Sequence, residues 1–183
     1  MNFGFSKNIK NLTAVTAAAL AFSSTALEAD SLDLGYTMEE QIKPCIAGEY
    51  SIPRALVDVS GIESDEGTLR VQIYSDNPDD FLVSGKKVLR VEVPSQPGVQ
   101  RVCVTFPQAG VYSMAVMHDK NANGRADIFS EGFGFSNNPK LGFGPPDHEE
   151  TLFEVGNGVK QMDVALTYYF QLAKKDSKRR RRR

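Results

Sequence analysis

The sequence predicts an all-β chain, folded as a single antiparallel β-sandwich of about seven strands with one long irregular loop. Three observations carry this. Apolar residues recur with a period of two in seven short stretches, each stretch is bounded by Gly, Pro or Asn, and the chain offers only one brief helical signal. Short alternating strands that bury one face each need a partner sheet, which is the sandwich solution.

The elements follow in chain order. Lys7 and Lys10 precede the apolar run Leu12 to Phe22, and the small residues Ser23, Ser24, Ala26 and Ala29 come next. This is the layout of a secretory signal peptide over 1–29, with cleavage after Ala26 or Ala29. The run is far short of the roughly 18 to 20 apolar residues that span a bilayer. A soluble exported bacterial protein, periplasmic or secreted, is therefore expected, with an N-terminal arm over 30–54, a β-sandwich domain over 55–170 and a disordered basic tail over 171–183.

The expected strands are Ala55 to Gly61, Gly67 to Ser75, Lys87 to Pro94, Gln100 to Pro107, Gly110 to His118, Thr151 to Val155 and Val159 to Tyr169. In the last, Met162, Val164, Leu166 and Tyr168 share one face, and Gln161, Asp163, Ala165 and Thr167 share the other, as in a sheet with one wet side. The helical signal is "SDNPDDFLVSGKK", where Asn77 can cap, Pro78 can take the first helical position and Gly85 can stop a single turn.

Charge narrows the partners. The formal net charge is −2, but the leader carries two lysines and Glu28, and the tail from Lys174 carries eight basic residues and Asp176. Without them, 11 basic residues face 21 acidic ones between 30 and 173, a net −10. Such a body repels nucleic acid and tolerates divalent cations. The arginine run Arg179 to Arg183 is expected to be solvated, or to hold an anionic envelope surface such as lipid or lipopolysaccharide phosphate. Cys45 lies in the irregular "IKPCIAGEYSIP", and Cys103 lies in "RVCVTF" on the face opposite Val102, Val104 and Phe106. In an exported chain with two cysteines, a Cys45 to Cys103 disulfide tying the arm to the sheet is expected.

The stretch "DKNANGRAD" has the spacing of a calcium loop. Hard cations take six to eight oxygens, which alternating side chains around a tight turn can supply. Asp119, Asn121, Asn123, the Arg125 carbonyl and Asp127 fall at positions 1, 3, 5, 7 and 9, with Gly124 at position 6. Position 12, where a bidentate glutamate belongs, is Ser130, and Glu131 comes one residue late. Any Ca²⁺ site here is expected to be weak, towards about 10⁻⁴ to 10⁻³ M. The other reading is a polar turn whose Asn and Asp side chains bond their own backbone. The residues alone leave both open.

"VYSMAVMHDKNANGRAD", then "EGFGFSNNP" and "FGPP", with "IYSDNPDDFLVSGKKVLRVEVP" upstream, resembles the exported bacterial family catalogued as domain of unknown function 2141. The resemblance covers roughly Leu56 to Tyr169. It implies a small β-sandwich of prealbumin or immunoglobulin-like type, and no established activity. The family's characteristic residues fall on His118, Asp119, Asn121, Asn123, Gly124, Asp127, Gly132, Phe133, Gly134, Phe135, Ser136, Asn137 and Asn138. Ala122 stands where the pattern often has glycine, and the arginine tail lies outside it.

Beyond the polar stretch, Gly132, Gly134, Gly142 and Gly144 let the long loop turn, and Phe129, Phe133, Phe135 and Phe143 can pack inward as anchors of a lid over the open end of the sandwich. Their other role is a ligand-binding edge on a rigid scaffold. Enzymatic signals are few. His118 and Asp119 are adjacent on a strand end, so their side chains diverge, and no nucleophile motif accompanies them. His148 reads as a solvated loop residue, and a transition-metal site of His118, Asp147 and His148 would need the loop to close. The sequence thus favours a non-catalytic exported binding or structural module, its polar loop either calcium-ordered or a plain turn. The alternative is a metal-dependent hydrolase or metal sensor using His118 and the acidic loop.

Overall fold

In the computed structural model, residues 38–47, 51–142 and 144–169 are described. The signal peptide, the basic tail and Phe143 lie outside the described residues. Among the described residues nine strands form two sheets: β1 (Pro53–Ile62), β2 (Thr68–Ser75), β3 (Leu89–Pro94), β4 (Gly98–Thr105), β5 (Gly110–Asp119), β6 (Gly132–Phe135), β7 (Leu152–Val155), β8 (Gly158–Ala165) and β9 (Thr167–Tyr168). One α-helix among the described residues, α1 (Met38–Ile46), precedes them. The smaller sheet runs β4-β1-β8, and the larger runs β3-β2-β5-β6-β9 with β7 also on β5. The fold is an all-β sandwich.

The alternation places the core where the period of two requires. Val57, Val59, Val102, Val104 and Val164 of the small sheet meet Leu69, Val71, Ile73, Met114 and Val116 of the large one. All are essentially solvent-free. Met162, Val164, Leu166 and Tyr168 are buried as expected. The Asn77, Pro78 signal forms a single 3-10 turn, Pro78–Asp80, in which the Asn77 side chain accepts the Asp79 N–H.

Nine strands replace the expected seven for two reasons. The final expected strand divides at Leu166. Its N–H still bonds the Ser60 carbonyl (2.9 Å), but Thr167 and Tyr168 pair with Phe133 and Gly132 of the other sheet. The second reason is β6, inside the expected loop. Its inward positions are glycines, so "GFGF" shows no apolar face to a search for buried side chains. The glycines answer a close approach. A Cβ on Gly134 would lie 2.7 Å from Val164 Cγ1, and one on Gly132 would lie 2.5 Å from the Tyr168 ring. The outward Phe135 is buried with Tyr74 and Ala115, and Phe81, Phe133 and Leu141 pack beside them. The segment therefore covers the outer face of the large sheet rather than the open end of the sandwich. Phe129 departs from the expected anchors and is 76% exposed.

Two further differences concern direction and the arm. β1 pairs antiparallel with β4 but parallel with β8, with Val57 opposite Met162 and Val59 opposite Val164. Nearly a hundred residues separate these strands, ample chain for the crossover that a parallel pair needs. The arm segment expected to be irregular is α1. Pro44 removes a helical donor and masks the signal, yet Ile42 and Cys45, three residues apart on one helical face, pack with Leu56, Cys103 and Val159. Cys45 and Cys103 form the expected disulfide, with Cα atoms 5.7 Å apart. Glu39 and Glu40 in the first turn and Lys43 in the last complement the helix dipole.

Candidate functional site

β5 ends by carrying His118 and Asp119 into the interior, where both are fully buried. Their side chains point to opposite faces of the strand, as alternation demands, and they serve two separate networks.

His118 faces the core. The Glu66 carbonyl, 2.9 Å from Nε2, can only accept, so Nε2 donates to it, with the Ser95 hydroxyl 3.0 Å from the same nitrogen. Nδ1 is left to accept from the Tyr168 hydroxyl at 2.6 Å. That hydroxyl accepts the Glu63 N–H (3.1 Å), and Ser95 donates to the Ser64 carbonyl (2.9 Å). The imidazole thus closes the turn between β1 and β2 and holds it to β9. Burial pushes the Tyr168 phenol up to about 12, the Glu63 N–H acting the other way and the Glu63 carboxylate adding to the rise.

Asp119 faces the polar loop. Its Oδ2 accepts the Gly124 N–H (2.8 Å) and pairs with Arg70 Nη1 (3.2 Å), and its Oδ1 accepts the Asn123 N–H (3.2 Å). Arg70 is itself buried and reaches Glu92 at 3.1 Å. The loop then steps around by short-range bonds. Asn121 Oδ1 accepts the Asn123 N–H (3.0 Å), Asn123 Oδ1 the Arg125 N–H (2.7 Å), and Asp127 Oδ1 the Phe129 N–H (3.1 Å). Asn121 to Ser130 are exposed. The bonds from Phe129 and Ser130 hold the Asp127 carboxyl below its usual range. Gly124 takes a φ of 79°, and Ala122 one of 53°, which explains why glycine suits both positions.

Glu131 completes the arrangement from the first turn before β6. It is fully buried, and its Oε2 accepts the Asp127 N–H at 2.8 Å. Its Oε1 is buried and meets no N–H or O–H donor among the described residues, while the Asp119 carboxyl lies within side-chain hydrogen-bonding reach. Burial raises the Glu131 carboxyl pKa, the Asp127 N–H opposes this, and Asp119 and then Asp127 add to the rise. Of the expected ligands, the structure therefore brings Asp119 and Glu131 together, while Asp127 turns its carboxylate to its own backbone. Among the described residues, no three His, Cys, Asp or Glu side chains gather as a metal cluster. The loop's further oxygens belong to Asn121, Asn123 and the Arg125 carbonyl, which are ligands suited to a hard cation.

His148 is a correction. It is buried rather than solvated, its ring tilted against Phe81 with centroids 5.1 Å apart and Nε2 at 3.3 Å from the Ser75 carbonyl. His118 pairs across from Leu69, and Ser75 lies six steps along extended β2 from Leu69, roughly 20 Å. The two histidines sit at opposite ends of that strand, so a site of His118, Asp147 and His148 does not form.

The remaining family positions stitch strands together. The Ser136 hydroxyl accepts the Met114 N–H (3.0 Å) and donates to the Thr151 carbonyl. Asn137 donates to the Glu150 and Leu152 carbonyls, and Asn138 bonds both the Asp163 carbonyl and the Ala165 N–H. Sequence reasoning missed Arg70, Ser95 and Tyr168 as members of these networks. Arg70 sits at an outward strand position, which signals solvent unless something covers it.

No curated protein and no solved structure matches the chain. The family model described as "uncharacterized protein conserved in bacteria (DUF2141)" matches residues 57–163, a span from β1 into β8 that includes both networks except Tyr168. The chain belongs to this DUF2141 family.

Proposed function

We propose that the chain is an exported bacterial β-sandwich module, binding or structural rather than catalytic, whose loop from Asp119 to Glu131 is ordered by weakly held Ca²⁺. The single observation that carries this is Glu131. A wholly buried carboxyl whose Oε1 meets no N–H donor costs at least about 1 to 3 kcal/mol when charged, and it lies within hydrogen-bonding reach of a second buried carboxylate, Asp119. A cation there would satisfy Oε1 and relieve the repulsion at once. Asp119, Asn121, Asn123, the Arg125 carbonyl and Glu131 would hold it, with Asp127 joining if its carboxylate turns inward. Asp119 and Asn oxygens already accepting one N–H keep further lone pairs for a metal. Arg70 offsets part of the charge on Asp119, consistent with weak affinity.

The alternative, a metal-dependent hydrolase or sensor using His118, is favoured by no observation, since both ring nitrogens are engaged by structural partners. Export and envelope attachment rest on the leader and the arginine tail in the sequence. The test is a thermal melt in chelator and in Ca²⁺ titrated into the tens of millimolar. A calcium-specific rise larger than that in Mg²⁺ is expected, because Mg²⁺ demands a smaller octahedral site. Superimposable melts overturn the calcium reading.

A further inference from the structure

We propose that the outer face of the large sheet carries a binding site for a small, flat, apolar ligand bearing one anionic group. A groove of about 520 Å³ opens there, within the range of roughly 300 to 1,000 Å³ typical of small-molecule sites. Tyr74, Ala115 and Phe135 line it from the sheet, Ala126 from the polar loop, Lys87 from the turn before β3, and Tyr169 from the end of the described chain. More of the lining comes from β2, β5 and β6 than from the polar loop, so this site does not rest on the calcium reading.

The lining selects the ligand. Phe133 and Tyr169, the partly exposed rings of the lining, favour a flat partner that can stack or meet them edge to face. The charge comes from Lys87. Its neighbour Lys86 pairs with Asp80 at 3.2 Å, whereas the half-buried Lys87 ammonium lies 5.8 Å from the Tyr74 ring centroid, at the aromatic lining of the groove. A neutral ligand covering the groove would strip water from this ammonium and return nothing, and a cation would add repulsion. Among the described residues no carboxylate pairs with Lys87, and an anionic group beside it supplies a partner by a charge-assisted bond.

Two fluorescent probes of one skeleton test this on the full chain: anilinonaphthalene sulfonate, and N-phenylnaphthylamine, which lacks the sulfonate. Saturable single-site binding of the sulfonate is expected. Lys87→Gln should weaken it by about three- to tenfold and leave the uncharged probe unchanged. Ala126→Trp, an exposed position on the groove wall, should weaken both probes by at least about tenfold with an unaltered circular dichroism spectrum. Absence of saturable binding, sulfonate affinity indifferent to Lys87→Gln, or binding of both probes indifferent to Ala126→Trp would each overturn the proposal.

Discussion

His118 and Tyr168 are joined by a 2.6 Å hydrogen bond between two buried side chains fifty residues apart. It ties β5, the central strand of the large sheet, to the short strand β9. Replacing His118 with Phe leaves the Tyr168 hydroxyl proton and the Glu66 carbonyl without their partner. A loss of about 2 to 4 kcal/mol is expected, with the strand content retained, as measured by urea unfolding and circular dichroism. A stability within error of wild type would remove the structural role assigned to this histidine.

The same pair sets an alkaline limit. Tyr168 has its pKa raised to about 12 in the folded chain against 10.0 for an exposed phenol. Between those values the unfolded chain releases a proton that the folded one keeps, so stability falls as pH rises. The contribution is intact below pH 10.0 and declines by up to about 1.4 kcal/mol per pH unit above it. Unfolding of wild type and Tyr168→Phe from pH 8 upward (about pH 8 to 11.5) should show this extra slope only in wild type. Parallel pH profiles contradict it.

Glu131 and Asp119 are two carboxyls buried together. Calcium at one to ten times Kd should stabilise the wild type by about 0.4 to 1.4 kcal/mol, a rise of a few degrees in Tm. Glu131→Gln removes the repulsion and one ligand. In chelator this variant should melt no lower than wild type, and its Ca²⁺ increment should fall by at least about half. Asp119→Ala should lose the increment outright. An increment preserved in both variants places the cation elsewhere.

The disulfide closes a separation of 58 residues. Reducing it, or replacing both cysteines with serine, should cost about 2 to 4 kcal/mol through the freedom regained by the unfolded chain. It should also release α1 from the sheet. Thiol labelling of the unreduced, denatured protein should find no reactive cysteine, and two labelled thiols would refute the bridge.

Gly134 reports on the approach of β6 to β8. An alanine Cβ would lie 2.7 Å from Val164 Cγ1 and 2.8 Å from the Ala165 carbonyl oxygen. Gly134→Ala is expected to cost about 1 to 3 kcal/mol, read as a lower urea midpoint with unchanged slope. The same substitution at Gly142, whose added Cβ meets nothing within 4 Å, should change little.

What the sequence by itself determined is local. A strand that buries one face must alternate, so the seven stretches, their buried faces and the side of Cys103 could be read directly from the order of residues. The turn chemistry of Asn77 and Gly124 is equally short-range. Other features depend on which elements become neighbours. Gly132 and Gly134 look like loop until Tyr168 and Val164 press against them, and Pro44 argues against a helix until Ile42 and Cys45 find Leu56 and Cys103. Arg70 looks solvent-facing until Asp119 folds over it. His148 looks solvated until Phe81 covers it, and the burial of Glu131 appears only when β6 docks on β5. Periodicity reports that a face is covered; tertiary packing alone decides by what, and therefore which carboxyls, rings and ammonium groups share a site.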